Sequence, residues 1–246
     1  MPVIGSPTEF SVTQTGCVMN AGLMMLVDGR FPAGGHTNSA GVESAVRVGD
    51  VHDDASLERY LRGRLATTGV VDAAFAAKTA SCHADAADID LEGSLAAIDR
   101  EYSARIMSPA LRDASRRFGR QMIRAGRVVW TSPLLDTLSR VGGGAHQPVV
   151  LGALVAAAGG SPSDAASTSM HHLSAAVCTA AVRLLGLDPM QVAATQLRVG
   201  VDADRWIEPA LRWAQLAPAE LPASGGSLTE ILGEHHAHSA TRLFVA

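Results

Sequence analysis

Apolar residues along 53–68 recur at three- and four-residue steps: Leu57, Tyr60, Leu61, Leu65 and Thr68 fall on one face of a helix. Asp53 and Asp54 stand where a helix start favours negative charge, and Glu58 can pair with Arg62 one turn on. The same reading predicts helices over 18–27, from about residue 40, over 70–83 and over 91–106, with an acidic turn at 85–90. Ser108-Pro109 is a start signature, Ser as cap and Pro at the first helical position. That helix is expected to run to Ala125 and to stop at Gly126. Its apolar face is Leu111, Ser115, Phe118, Met122 and Ala125, and Arg112, Arg116, Arg117, Arg120 and Arg124 lie opposite. Arg112, Arg116 and Arg120 recur every fourth residue, as either a solvated face or a docking surface for an acidic partner.

Gly142-Gly143-Gly144 breaks the chain, and the residues from His146 lead into an apolar helix that ends at Gly159-Gly160. Ser161-Pro162 repeats the start signature. Between Asp164 and Arg183 no residue is charged, so the helix running to about Leu185 is expected to be the buried, central one. Helices over 190–199 and 205–216 follow, then a Pro/Gly/Ser linker over 218–226. Strand signals are few. The expected fold is all-α: a loose N-terminal tail over 1–17, one compact domain of about ten helices over 18–217, and a linker with a mobile, partner-docking C-terminal segment over 218–246.

Composition narrows the function. Of 246 residues 47% are hydrophobic but only 4% aromatic, so the core is built from Ala, Leu, Val and Met. A net charge of −4 argues against nucleic-acid binding. Cys17, Cys82 and Cys178 lie far apart with no C-x-x-C pair, which favours a reducing compartment. No Lys or Arg precedes Arg30, and the apolar run 148–160 is too short for a membrane span of ~20 residues. A cytoplasmic protein without membrane contact is expected. Lys78 is the only lysine, no P-loop is present, and the chain lacks G-x-S-x-G, H-E-x-x-H and EF-hand patterns. The chain is therefore expected not to be an enzyme.

Three segments carry candidate chemistry. The first, V-D-G-R-F-P-A-G-G-H-T-N-S-A-G-V-E-S over 27–44, sets Arg30, Asn38, Ser39 and Glu43 among glycines that permit unusual backbone angles and close approach. The second is the histidines. His171 and His172 are adjacent, so on a helix they point about 100 degrees apart, and Cys178 lies on yet another side. They read as hydrogen-bonded core histidines, or alternatively as ligands of a helical metal-binding protein or metalloenzyme. His235, His236 and His238 are weaker metal candidates; imidazole suits nickel, zinc or copper. The third is the ending T-R-L-F-V-A, where Arg242 can contact a carboxylate or phosphate while Leu243 and Phe244 bury apolar area, against the core or in a partner.

Taken in order, R-F-P-A-G-G-H-T-N-S-A-G-V-E-S, A-S-R-R-F-G, H-Q-P-V-V-L-G, L-S-A-A-V-C-T-A-A-V-R-L and H-H-A-H-S-A-T-R-L-F resemble the UreF family of urease accessory proteins, from about Leu23 onward. The resemblance implies an all-helical, dimerising scaffold and regulator. It would bind UreD (UreH in some organisms) and recruit the GTPase UreG for nickel delivery to the urease apoprotein, with no tightly bound cofactor of its own. The family's loop motif falls on Phe31, Pro32, Gly34, Gly35, Ser39, Gly41 and Glu43, beside Arg30. Its second motif falls on Ser115 and Gly119, and its C-terminal motif on His236, Arg242, Leu243 and Phe244. These positions are the expected partner-binding residues, and no catalytic or dedicated metal residue is expected. The chain departs from the pattern at His36, Asn38, Ala237, Ala240 and Ala246.

Overall fold

Capping chemistry sets where the helices begin. In the computed structural model, which describes residues 20–33, 37–82, 90–239 and 243–244, Asp53 accepts from the Ser56 amide and Ser161 from the Asp164 amide, each in a capping box. Ser108 accepts from the Leu111 amide at 3.1 Å, with Pro109 at the first position. The described residues form twelve α-helices and no strand; ten of the helices are seven residues or longer. They are α1 Ala21–Val27, α2 Val42–Arg47, α3 Asp54–Arg64, α4 Val70–Ser81, α5 Leu91–Ala104, α6 Pro109–Val129, α7 Pro133–Leu138, α8 Gln147–Ala157, α9 Pro162–Leu185, α10 Pro189–Ala203, α11 Ile207–Ala214 and α12 Ser227–Ala237.

The centre is α4 and α8. Nine residues of α4 are buried, five of them alanines, and α8 buries every residue from Pro148 to Ala156. Small side chains let α4 lie directly against α8, α9 and α11. Phe75 of α4 supplies the bulk, edge-on to Tyr102 of α5 with ring centroids 5.1 Å apart. The uncharged α9 is central in its contacts but is not buried all round. Its core side carries Ala165, Ala166, Val177, Ala180 and Ala181 together with buried Thr168, Ser169 and Ser174, while Ser163, Ser167 and His171 are exposed. Lack of charge there marks one broad packed face.

The sequence reading drew no helix over α7 or over α12, which lies in the segment expected to be linker and mobile tail, and it ended α10 at residue 199; two further boundaries also differ. α3 does not end before α4; a π-turn over Leu65–Gly69 joins them into one continuous rod. α6 passes through Gly126 to Val129, because Gly126 is buried against Leu154 and serves packing, not termination. No helix among the described residues is long and apolar enough to cross a membrane.

Candidate functional site

Glu43 sits in the first turn of α2, where the helix dipole favours a carboxylate. The turn before it is tightly built: Ala40 and Gly41 both adopt left-handed backbone angles (φ 47 and 85). Tyr60 Oη donates to the Ala40 carbonyl at 3.2 Å, and a Cβ on Gly41 would lie 3.0 Å from the same phenol oxygen. This pins Glu43 inward, and only 4% of the residue is exposed.

The carboxylate holds the C-terminal end of the chain. Its Oε1 accepts from the Leu243 amide and its Oε2 from the Phe244 amide, each at 3.0 Å. Arg47 Nη2 lies 3.3 Å from Oε1 and supplies counter-charge. His236 Nε2, buried on α12, donates to the Phe244 carbonyl at 3.2 Å and stands 3.7 Å from Glu43 Oε2. The Phe244 ring is buried beneath the Arg183 guanidinium, 4.7 Å from the ring centroid. Ser44 Oγ donates to the Leu232 carbonyl at 3.1 Å, so α2 also grips α12 directly. Leu243 points outward and is 66% exposed.

A second contact fixes the other side of α12. Glu230 Oε2 accepts from the Ser108 amide at 2.8 Å, and Glu234 Oε1 accepts from Ser108 Oγ at 2.5 Å and the Ala110 amide at 2.9 Å. Both carboxylates thus complete the N-terminus of α6. The Ser108 hydroxyl and the Ala110 amide hold the Glu234 carboxyl below its usual range. Sequence reasoning missed Glu230 and Arg183, and it placed Glu234 only with the tail histidines, not at the start of α6. The four-residue spacing of the two glutamates was a usable signal, but it needs α12 to be drawn as a helix first.

The remaining expected site residues divide. Phe31 and Ser39 are buried, and Ser39 Oγ has no hydrogen-bond partner among the described residues. Pro32 is exposed, and Arg30 turns to solvent, paired with Asp28 at 2.7 Å. Ser115 Oγ accepts from the Gln147 amide at 3.1 Å, and Gln147 Nε2 donates to the Ala33 carbonyl at 3.1 Å, so this motif ties α6 to α8 and to the loop. Gly119 lets the chain before α8 lie on α6; a Cβ there would sit 3.0 Å from the Ala145 carbonyl carbon and closer still to its oxygen. Gly34, Gly35 and Arg242 lie outside the described residues, as does His36.

At its three periodic positions the arginine stripe also braces neighbouring loops, with Arg112 and Arg116 half-buried and Arg120 exposed. Arg112 donates to the Ile106 and Met107 carbonyls at 2.5 and 2.9 Å. Arg116 bonds Asp99 at 3.0 Å and the Gly144 carbonyl, and Arg120 bonds the Gly143 carbonyl. These side chains brace loops, because main-chain carbonyls left open at turns need donors. Arg117 and Arg124 stay exposed.

The histidine alternatives gain little from the geometry. His172 Nε2 bonds the Leu26 carbonyl at 2.8 Å, and burial lowers its pKa to about 4, as the reading of a core histidine expects. His171 is exposed, against that reading, although it hydrogen-bonds the Val27 main chain and partial burial lowers its pKa. Burial pushes the Cys178 thiol up to about 12, far from a thiolate ligand or nucleophile. His238 Nδ1 donates to the Glu234 carbonyl at 2.8 Å. Among the described residues, no group of three or more His, Cys, Asp or Glu is placed to hold a metal ion.

The family model for UreF matches residues 51–200. The urease accessory protein UreF of Mycobacterium sp. (strain JLS) is 37% identical over 225 residues, covering 91% of this chain and 97% of the relative. That of Mycobacterium marinum is 34% identical over 224 residues, with the same coverage. That of Mycolicibacterium vanbaalenii is 36% identical over 231 residues, 92% of this chain and 98% of the relative. Glu43 and the C-terminal latch therefore stand within a chain that belongs to the UreF family of urease accessory proteins.

Proposed function

We propose that this chain is a non-catalytic scaffold that bridges UreD (UreH) and the GTPase UreG during GTP-dependent insertion of nickel into apo-urease. It works as a homodimer in the cytoplasm, with nickel as cargo and no tightly bound cofactor. The observation that carries this reading is the latched C-terminal end. Phe244 is anchored at 6% exposure while its neighbour Leu243 faces outward at 66%. α12 adds exposed Leu228 and Ile231. Exposed apolar side chains on a rigidly held backbone make an interaction edge. We assign that edge to UreD, and the loop over 30–43 to coupling with UreG.

The test is co-purification of the untagged chain with tagged UreD, followed by UreG with GTP and magnesium, read by light scattering. A stable ternary complex is expected. Deletion of the last ten residues is expected to abolish capture by UreD while helical content stays nearly unchanged. Full-affinity capture of the truncated chain would overturn the tail assignment. No binding among partners shown to be folded would overturn the scaffold reading.

A further inference from the structure

A cavity of about 180 Å³ lies between the loop before α2, the α3–α4 rod, α5, α9 and the residues leading into α12. Arg64, Thr68 and Asp72 stand four apart along the rod and all reach its wall; Thr68 lies within the π-turn over Leu65–Gly69, which separates Arg64 from Asp72. π-turns recur at functional sites because they shift the register of the side chains beyond them. Tyr102 Oη donates to Asp72 Oδ1 at 2.6 Å on the facing wall. Burial pushes the Asp72 carboxyl up to about 6.

Arg64 and Arg105 face Asp72 and Glu230 across the cavity, so its charges roughly balance, but the hydrogen-bond donors of Arg64 are not all met. Glu230 is engaged by the Ser108 amide. Arg105 bonds Glu101 and the carbonyls of Pro218, Ala219, Leu221 and Pro222. Arg64 Nε and Nη1 are buried and find no hydrogen-bond partner among the described residues. No ion pair joins Arg64 to Asp72 among those residues. A guanidinium with unmet buried donors is unfavourable, and its natural complement is an oxyanion. The wall formed by Asp72 and Tyr102 repels multiply charged anions, but its carboxylate can accept from a hydroxyl.

We propose that this cavity binds one small singly charged oxyanion of carboxylate, hydrogencarbonate or dihydrogenphosphate size. Arg64 donates to the anion, Thr68 lies beside it, and the Asp72–Tyr102 pair closes the far side. The site adjoins the Ala40–Gly41 turn but uses none of Glu43, Leu243 and Phe244, and it does not depend on the scaffold reading.

Isothermal titration of the full chain with sodium formate, hydrogencarbonate or phosphate at pH 6.5, ionic strength held with sodium chloride, tests this. At least one oxyanion is expected to bind at one per chain. Arg64→Met is expected to weaken it about tenfold or more, the loss of a charged hydrogen bond, while exposed Arg117→Met leaves it unchanged. Amide shifts in the wild-type chain keep the test independent of how Arg64→Met folds; they are expected at Thr68, Asp72 and Tyr102. Heats no greater than the chloride control, equal affinity in a folded Arg64→Met chain, or shifts gathered around Arg117 and Arg124 would each overturn the proposal.

Discussion

Glu43→Ala is expected to free the C-terminal end without unfolding the helices. The carboxylate accepts two main-chain hydrogen bonds at 3.0 Å. Bonds to a charged group contribute about 1.5–3 kcal/mol each, so about 3–6 kcal/mol is at stake. What remains is Phe244 burial, about 2–3 kcal/mol, its stacking under Arg183, about 0.5–1 kcal/mol, and the His236 hydrogen bond to the Phe244 carbonyl, about 0.5–1.5 kcal/mol. Ordering even two residues costs about 2–4 kcal/mol of backbone entropy, which offsets most of that remainder. The tail is therefore held only marginally, and the stability lost is local, at least about 3 kcal/mol. Hydrogen exchange reads it directly: the Phe244 amide is expected to exchange about a hundredfold faster, while far-UV circular dichroism holds. Glu43→Gln keeps one acceptor oxygen and is expected to fall between. Wild-type protection of Phe244 in a folded Glu43→Ala chain would refute the latch. In the scaffold reading the same variant also loses coupling to UreG.

Gly119→Ala is expected to lower stability by about 1–3 kcal/mol, because its Cβ meets the Ala145 carbonyl and main chain cannot yield as a side chain can; an unchanged melting temperature would contradict this. Asp72 gives a pH signature. Its folded pKa, about 6, lies above the ordinary 3.8, so its contribution is fully present below about 3.8 and is lost as pH rises through about 6. The stability difference between wild type and Asp72→Asn should accordingly shift against wild type between pH 4 and 6 in urea unfolding, and a flat difference would show that the carboxyl is not desolvated.

Most of the helices were legible in the sequence because their determinants are local. The face of Leu57, Leu61 and Leu65, the caps at Asp53, Ser108 and Ser161, and the missing P-loop require no knowledge of what packs where. The loop and C-terminal motifs could likewise be picked out as special. Reach across the fold was not legible. Gly126 reads as a helix stop until Leu154 is seen against it, and Arg112, Arg116 and Arg120 read as a surface stripe until the carbonyls of residues 106, 107, 143 and 144 come within bonding distance. Glu43 and Phe244 are two hundred residues apart, and no periodicity links them. The sequence by itself determined most of the helical segments, α7 and α12 excepted, and which segments carry unusual chemistry, because capping and amphipathic periodicity act over a few residues. Only the tertiary structure decided that Glu43 holds the tail and that Arg64 faces a cavity, because those contacts exist only once burial removes water and leaves each polar group to find its partner in the fold.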